Sequence, residues 1–167
     1  AYSDFPEFIR RRKTPERLPY DIVEATLKTR YPLITATGTT LEQMLYEGAI
    51  AYATSKIIPD FDEARCFDMT SEQLKWVEDN EPQIWRSLVN ADLLDDTSII
   101  VKQTLFNPAP FAAALSKEVP AETGRWIGLR IISKYLESNK ISIKDFLQQR
   151  SYHKSKNILI SIAYNGQ

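Results

Sequence analysis

A single histidine and a single cysteine limit the chemistry open to this chain. A zinc peptidase needs two imidazoles one helical turn apart, with a glutamate between them to activate water, and His153 alone cannot supply that pair. His153 stands beside Lys154 and Lys156, an electropositive setting that suits a surface histidine better than a ligand. A serine or cysteine nucleophile would have only this one base, and no G-x-S-x-G elbow occurs. Cys66 has no partner for an internal disulfide. The glycines Gly38, Gly48, Gly124, Gly128 and Gly166 form neither a phosphate-cradling loop nor a dinucleotide fingerprint. Paired carboxylates can act as acid and base on a sugar, and Glu78, Asp79, Glu81, Asp95 and Asp96 are the candidates. Their spacing selects no pair. Asp60-Phe61-Asp62-Glu63 has the oxygen density of a calcium loop without its glycine or its twelve-residue frame.

The elements that must position these groups are mostly helical. Thr39-Thr40-Leu41-Glu42 has capping-box spacing, and Leu41, Met44, Leu45, Ala49, Tyr52 and Ala53 follow at three- and four-residue steps until Pro59, which predicts a helix over 40–57. Asp21 to Tyr31 is a helix ended by Pro32. Thr70-Ser71-Glu72-Gln73 opens a further one, with Pro82 inside the pattern, so the segment is two short helices or one bent one. Ile99, Ile100 and Val101 favour a strand within 97–106 while their surroundings favour helix. From Glu122 to Asn139 the apolar positions cover most of the circumference, the mark of a central buried helix, and Gly124 and Gly128 on it admit the close approach of another backbone. Ser142–Gln149 and Ser151–Tyr164 complete the series. Pro6, Pro15 and Pro19 make residues 1–20 an extended arm with at most a short turn.

With 167 residues, 43% of them hydrophobic, and no apolar run long enough to span a bilayer, the chain is one globular domain, 1–167. Its net charge of -1 argues against general nucleic-acid binding. The charge is unevenly spread: residues 60–96 hold eleven acids against three bases, a local −8, and residues 117–157 hold nine bases against four acids, a local +5. The simplest reading is that two halves of one domain attract each other. Arg10-Arg11-Arg12-Lys13 in the arm is read as a solvated basic face.

Several stretches resemble one family in order and spacing over nearly the whole chain. They are Phe5-Pro-Glu-Phe-Ile9, Leu18-Pro-Tyr-Asp-Ile22, Met44 to Tyr52, Asn80-Glu-Pro-Gln-Ile-Trp85 with Leu93-Leu94, Pro110-Phe111, and Pro120-Ala-Glu-Thr-Gly-Arg-Trp-Ile-Gly128 with Tyr135. Together they resemble the GldB-like gliding-motility lipoproteins of Bacteroidetes-type bacteria. The signature residues Trp85, Gly124, Arg125, Trp126 and Gly128 are candidates either for packing or for partner contact, and packing of Trp126 in the core is expected.

That resemblance implies an envelope protein on the periplasmic face, held by a lipid anchor that lies outside this chain, which would then be the C-terminal part of a longer lipoprotein or a short homologue. It also implies a relation to zinc peptidases, in which one helix bears H-E-x-x-H and a second bears Glu-Gly-x-Ala. Glu47-Gly48-Ala49-Ile50-Ala51 looks like the second. Ile22 to Leu27 then looks like the first, with Glu24 at the water-activating position but Val23 and Leu27 where histidines are required. One carboxylate does not replace two imidazoles, so neither metal nor cofactor is expected. The expectation is a mainly α, single-domain, degenerate zincin-like scaffold, with any small β element confined to the N-terminal arm or to 97–106. It would act without catalysis, as a binding or structural partner of envelope or gliding-machinery proteins. The alternative is a hydrolase, peptidase-like or carboxylate-dependent, acting on envelope substrates.

Overall fold

A computed structural model describes residues 5–166. The helices run α1 Glu7–Arg12, α2 Leu18–Arg30, α3 Thr40–Ile57, α4 Glu63–Cys66, α5 Ser71–Asp79, α6 Glu81–Asn90, α7 Ile99–Phe106, α8 Thr123–Asn139, α9 Ile143–Gln148 and α10 Ser155–Ile162, with a 3₁₀ turn Ser151–Lys154 before the last. Among the described residues there is no strand.

Two long helices, α3 and α8, form the core, and the glycines set how closely they meet. A Cβ built on Gly48 would lie 2.1 Å from the carbonyl carbon of Gly128, and one on Gly128 would lie 2.1 Å from the carbonyl oxygen of Met44. No real side chain tolerates such distances, so the two backbones touch directly. Gly124 has a related role a turn earlier on α8, where a Cβ would meet the Phe106 ring at 2.7 Å and so block the seat of α7. Around this contact Met44, Leu45, Ile50, Trp126, Ile127, Ile131 and Ile132 are sealed from water. The predicted reason for small residues on α8 therefore holds, and Gly48 is the facing member of the pair.

The α3 start is more elaborate than a capping box. The Thr39 hydroxyl accepts from the Glu42 amide, but the Glu42 carboxylate reaches past the cap and accepts from the amides of Ala36, Thr37 and Gly38 at 2.8, 3.0 and 3.0 Å. Burial alone would raise the Glu42 carboxyl, yet those three amides hold it below the usual glutamate range. The 94–96 loop closes the same end, accepting the Thr40 and Leu41 amides at 2.8 and 2.9 Å. His153 lies at the surface of this end, 29% exposed, its Nε2 2.5 Å from the Ile34 carbonyl and 3.4 Å from Glu42.

One expectation differs from the structure, and two ambiguities are resolved by it. The arm is not extended: α1 forms at 7–12, and α2 starts at Leu18, three residues before the predicted Asp21, because Pro19 sits in its first turn where a missing amide costs nothing. The first four residues of the expected arm lie outside the described residues. Of the undecided segment 97–106, residues 99–106 are helix. Ser98 caps it by accepting from the Ile100 amide, and Leu105 and Phe106 bury against α8. With no neighbouring strand edge to pair with, the β-branched run has nowhere else to satisfy its amides. Pro82 resolves the other ambiguity by falling in the first turn of α6, so α5 and α6 are two helices joined at Asn80.

Candidate functional site

Against the apolar core lies a cluster of buried charge contributed by α2, α3 and α8. Its centre is Arg125, only 4% exposed on a helix that is otherwise apolar on this side. The guanidinium Nη1 donates to Glu122 at 2.5 Å. Nη2 lies 2.8 Å from Glu24, and Nε lies 3.4 Å from Glu47. These last two contacts are ion pairs between buried groups. Burial disfavours the Arg125 cation, but Glu24, Glu122 and Glu47 outweigh it and raise its pKa well above the ordinary value.

A second layer neutralises the carboxylates from outside. Lys28, one turn beyond Glu24 on α2, reaches both Glu47 oxygens at 3.0 and 2.8 Å. Arg17, 1% exposed, lies 3.8 Å from Glu24. It also donates to the carbonyls of Arg65 and Cys66 at 2.5 Å each, which ties the start of α2 to the end of α4. Burial by itself would raise the Glu24 carboxyl, and Arg125 and Arg17 together bring it below the usual range. The Cys66 thiol donates weakly to Glu24 at 3.6 Å, and burial pushes its pKa up, so it is an inert core thiol. At the α8 start Glu122 takes the left-handed conformation, φ 61° and ψ 7°, with its side chain 1% exposed, and accepts from Arg12 of α1 at 2.6 Å. Arg12 also pairs with Asp68. Asp68 is raised, first by burial and then by the neighbouring Glu122 charge, against the pull of Arg17 and Arg12.

Of the residues singled out in the sequence, the structure gathers Glu24, Glu47 and Arg125 at one point. Val23 and Leu27 flank Glu24 on α2 as half-buried aliphatics. Trp126, fully buried next to Arg125 in sequence, donates its Nε1–H to Glu63 at 3.0 Å, with the Arg130 guanidinium 5.6 Å from its ring centroid. Trp85 lies elsewhere, edge-on to Tyr164 at 4.8 Å. That tyrosine donates to buried Glu81 at 2.5 Å, and Arg130 lies 3.3 Å from the same carboxylate.

The other candidate acids are not brought together. Asp79 pairs with Lys75, Asp95 with Lys156, Asp96 accepts from the Ser98 amide, and Glu78 is exposed. Asp62 caps α4 while Glu63 serves Trp126, so the calcium-loop reading is replaced by two structural roles. Half of the basic tetrad is likewise not solvated, since Arg12 makes ion pairs and Arg11 donates to Gln73 at 3.3 Å. Among the described residues no three His, Cys, Asp or Glu side chains take an arrangement that could hold a metal ion. Arg17, Lys28, Asp68 and Glu122 are the members of the cluster that sequence reasoning missed. For Glu122 a signal existed: it stands three residues before Arg125, one turn away on the same face.

Among the described residues no helix is long and apolar enough to cross a membrane. Neither a curated protein nor a solved structure matches the chain. One family model does, that of the gliding motility protein GldB, and it matches residues 1–165. The match takes in α2, α3 and the α8 start that build the charge cluster, and with nearly the full length covered, the chain belongs to the family of the gliding-motility lipoprotein GldB.

Proposed function

We propose that the chain is a non-catalytic component of the cell envelope, lipid-anchored in its full-length form, that contributes a binding surface to gliding or related cell-surface machinery. The observation that carries this is Arg125. Its guanidinium fills the space between the carboxylates of Glu24 and Glu47. Those are the positions that the likeness to zinc peptidases would give to the water-activating glutamate and a metal ligand. The residues present do not fit zinc: Val23 and Leu27 offer no lone pairs where imidazoles are needed, and a buried guanidinium repels a divalent cation from the same carboxylates. The dispersal of Glu78, Asp79, Asp95 and Asp96 onto separate structural partners or into solvent supports the same reading against a carboxylate hydrolase. Membership of the GldB family supports the envelope assignment.

The test is elemental analysis of protein purified without added metal or chelator, together with a general peptidase assay. Zinc far below one per chain and no chelator-sensitive hydrolysis are expected. Close to one zinc per chain with hydrolysis that chelator abolishes would overturn the proposal.

A further inference from the structure

We infer that the groove beneath α1 is a docking site for a short partner segment that presents an aromatic ring and a guanidinium one helical turn apart, and that α1 is its resident occupant. The inference deepens the reading of the chain as a binding component and rests on it in that respect alone.

The groove is walled by Phe67 and Met69 after α4, by Pro108 and Pro110 of the rigid loop after α7, and by Pro120 before α8. Asp68 and Glu122 lie along it, with side chains 11% and 1% exposed. Desolvated acids beside prolines and an aromatic ring form a surface that repels phosphate and favours a cation carried next to apolar area. α1 brings that chemistry: Phe8 and Arg11 face the groove, three residues apart, and Arg12 bridges Glu122 and Asp68. The space left between α1 and the body is about 10 Å³, room for one water at most.

The occupant is held by two arginines, Arg12 on Glu122 and Asp68 and Arg11 on Gln73, rather than by buried apolar side chains. None of the six residues of α1 is buried. A helix this short does not persist alone in water, so the groove supplies its order, and any segment that supplies the same cation and ring to the groove can replace it. The chain re-enters the body at Arg17, which stays fixed through Arg65, Cys66 and Asp21 whether or not α1 is seated. A bare groove would leave Glu122 with Arg125 but would strip Asp68 of Arg12. A partner segment of the same chemistry restores that pairing, and α1 competes with it by mass action.

The experiment uses the full chain and a fluorescent peptide of residues 5–13, Phe-Pro-Glu-Phe-Ile-Arg-Arg-Arg-Lys, followed by anisotropy. Arg12→Ala loosens α1, and because competition by α1 lowers apparent affinity by the fraction of open groove, the variant should bind the peptide at least tenfold more tightly than the unaltered chain. Adding Asp68→Asn to it should return binding to the weak level, as should a peptide whose phenylalanine and last arginine at positions 8 and 12 are alanine. Equal affinity for unaltered chain and variant, or equal binding of the altered peptide, overturns the inference. Where Arg12→Ala does not fold, Phe8→Ala loosens α1 without touching the ion pairs, and the same outcomes apply. A concentration-dependent dimer of the unaltered chain that Arg12→Ala abolishes would assign the groove to a second copy and equally overturn it. None of these results bears on zinc content or hydrolysis, so failure here is distinct from failure of the proposed function.

Discussion

α8 carries two solutions to the problem of packing against α3, one turn apart. At Gly128, facing Gly48 of α3, it has no side chain and backbone meets backbone. At Arg125 it buries one of the largest polar side chains and surrounds it with Glu24, Glu47 and Glu122. The first depends on shape and has no adjustable component. The second depends on charge balance, which can be upset at one residue and restored at another. Close packing tolerates no added atom, whereas an ion cluster tolerates changes that keep its sum.

The sharpest way to break that comparison is Gly48→Ala or Gly128→Ala. Alanine would gain about 1 kcal/mol in helix propensity. The clash at 2.1 Å with fixed backbone outweighs it, and a net loss on the order of 3 kcal/mol or more is expected in urea unfolding, with no recovery in the double variant. Arg125→Met comes next, at about 3–5 kcal/mol, because it leaves buried carboxylates unpaired. Here recovery is expected: adding Glu24→Gln and Glu47→Gln should restore a large share of the loss, and a triple variant no more stable than Arg125→Met would erase the distinction between the two sites.

Acid should act on the cluster and spare the glycine contact. The folded state holds Glu24 below its ordinary value of 4.5, so its contribution is fully present above that value and is lost as pH falls through the lower folded-state value. Asp68 is raised and contributes in the opposite sense, stabilising as it takes up a proton. Urea midpoints measured from pH 7 to pH 3 should therefore fall less steeply in Glu24→Gln and more steeply in Asp68→Asn. Smaller still is Thr39→Ala, which removes one cap of α3 at about 1 kcal/mol, since Glu42 retains its three amides on the other side of the turn. Ile100→Lys, at a site 69% exposed, should change stability by less than about 0.5 kcal/mol.

Periodicity made the helices legible where burial is one-sided or complete, as in α3 and α8, because apolar spacing reports directly on which face meets the core. It left 97–106 undecided, with β-branched residues favouring a strand and their surroundings a helix: Ile99 and Ile100 are exposed, so their type carries no packing information. It failed at α1, a helix stabilised by contacts made with residues more than fifty positions away. The charge cluster was only partly legible. Glu24 and Glu47 could be matched to a familiar pattern, and an arginine on an apolar helix announces that partners must come to it. Arg17 could not be found this way, because its burial depends on carbonyls of α4 that no local spacing records.

The contact at Gly48 and Gly128 also bears on motion. Helices that meet through side chains can slide or roll as rotamers change, but two backbones interlocked at van der Waals distance have no such freedom. α3 and α8 should therefore move as one body, with the slowest amide exchange in the molecule around Met44 to Ala51 and Trp126 to Ile132. Whatever rearrangement binding demands must fall to the periphery, to α1, the 13–17 link and the proline loop after α7, and signals between those regions would travel around the central pair rather than through it.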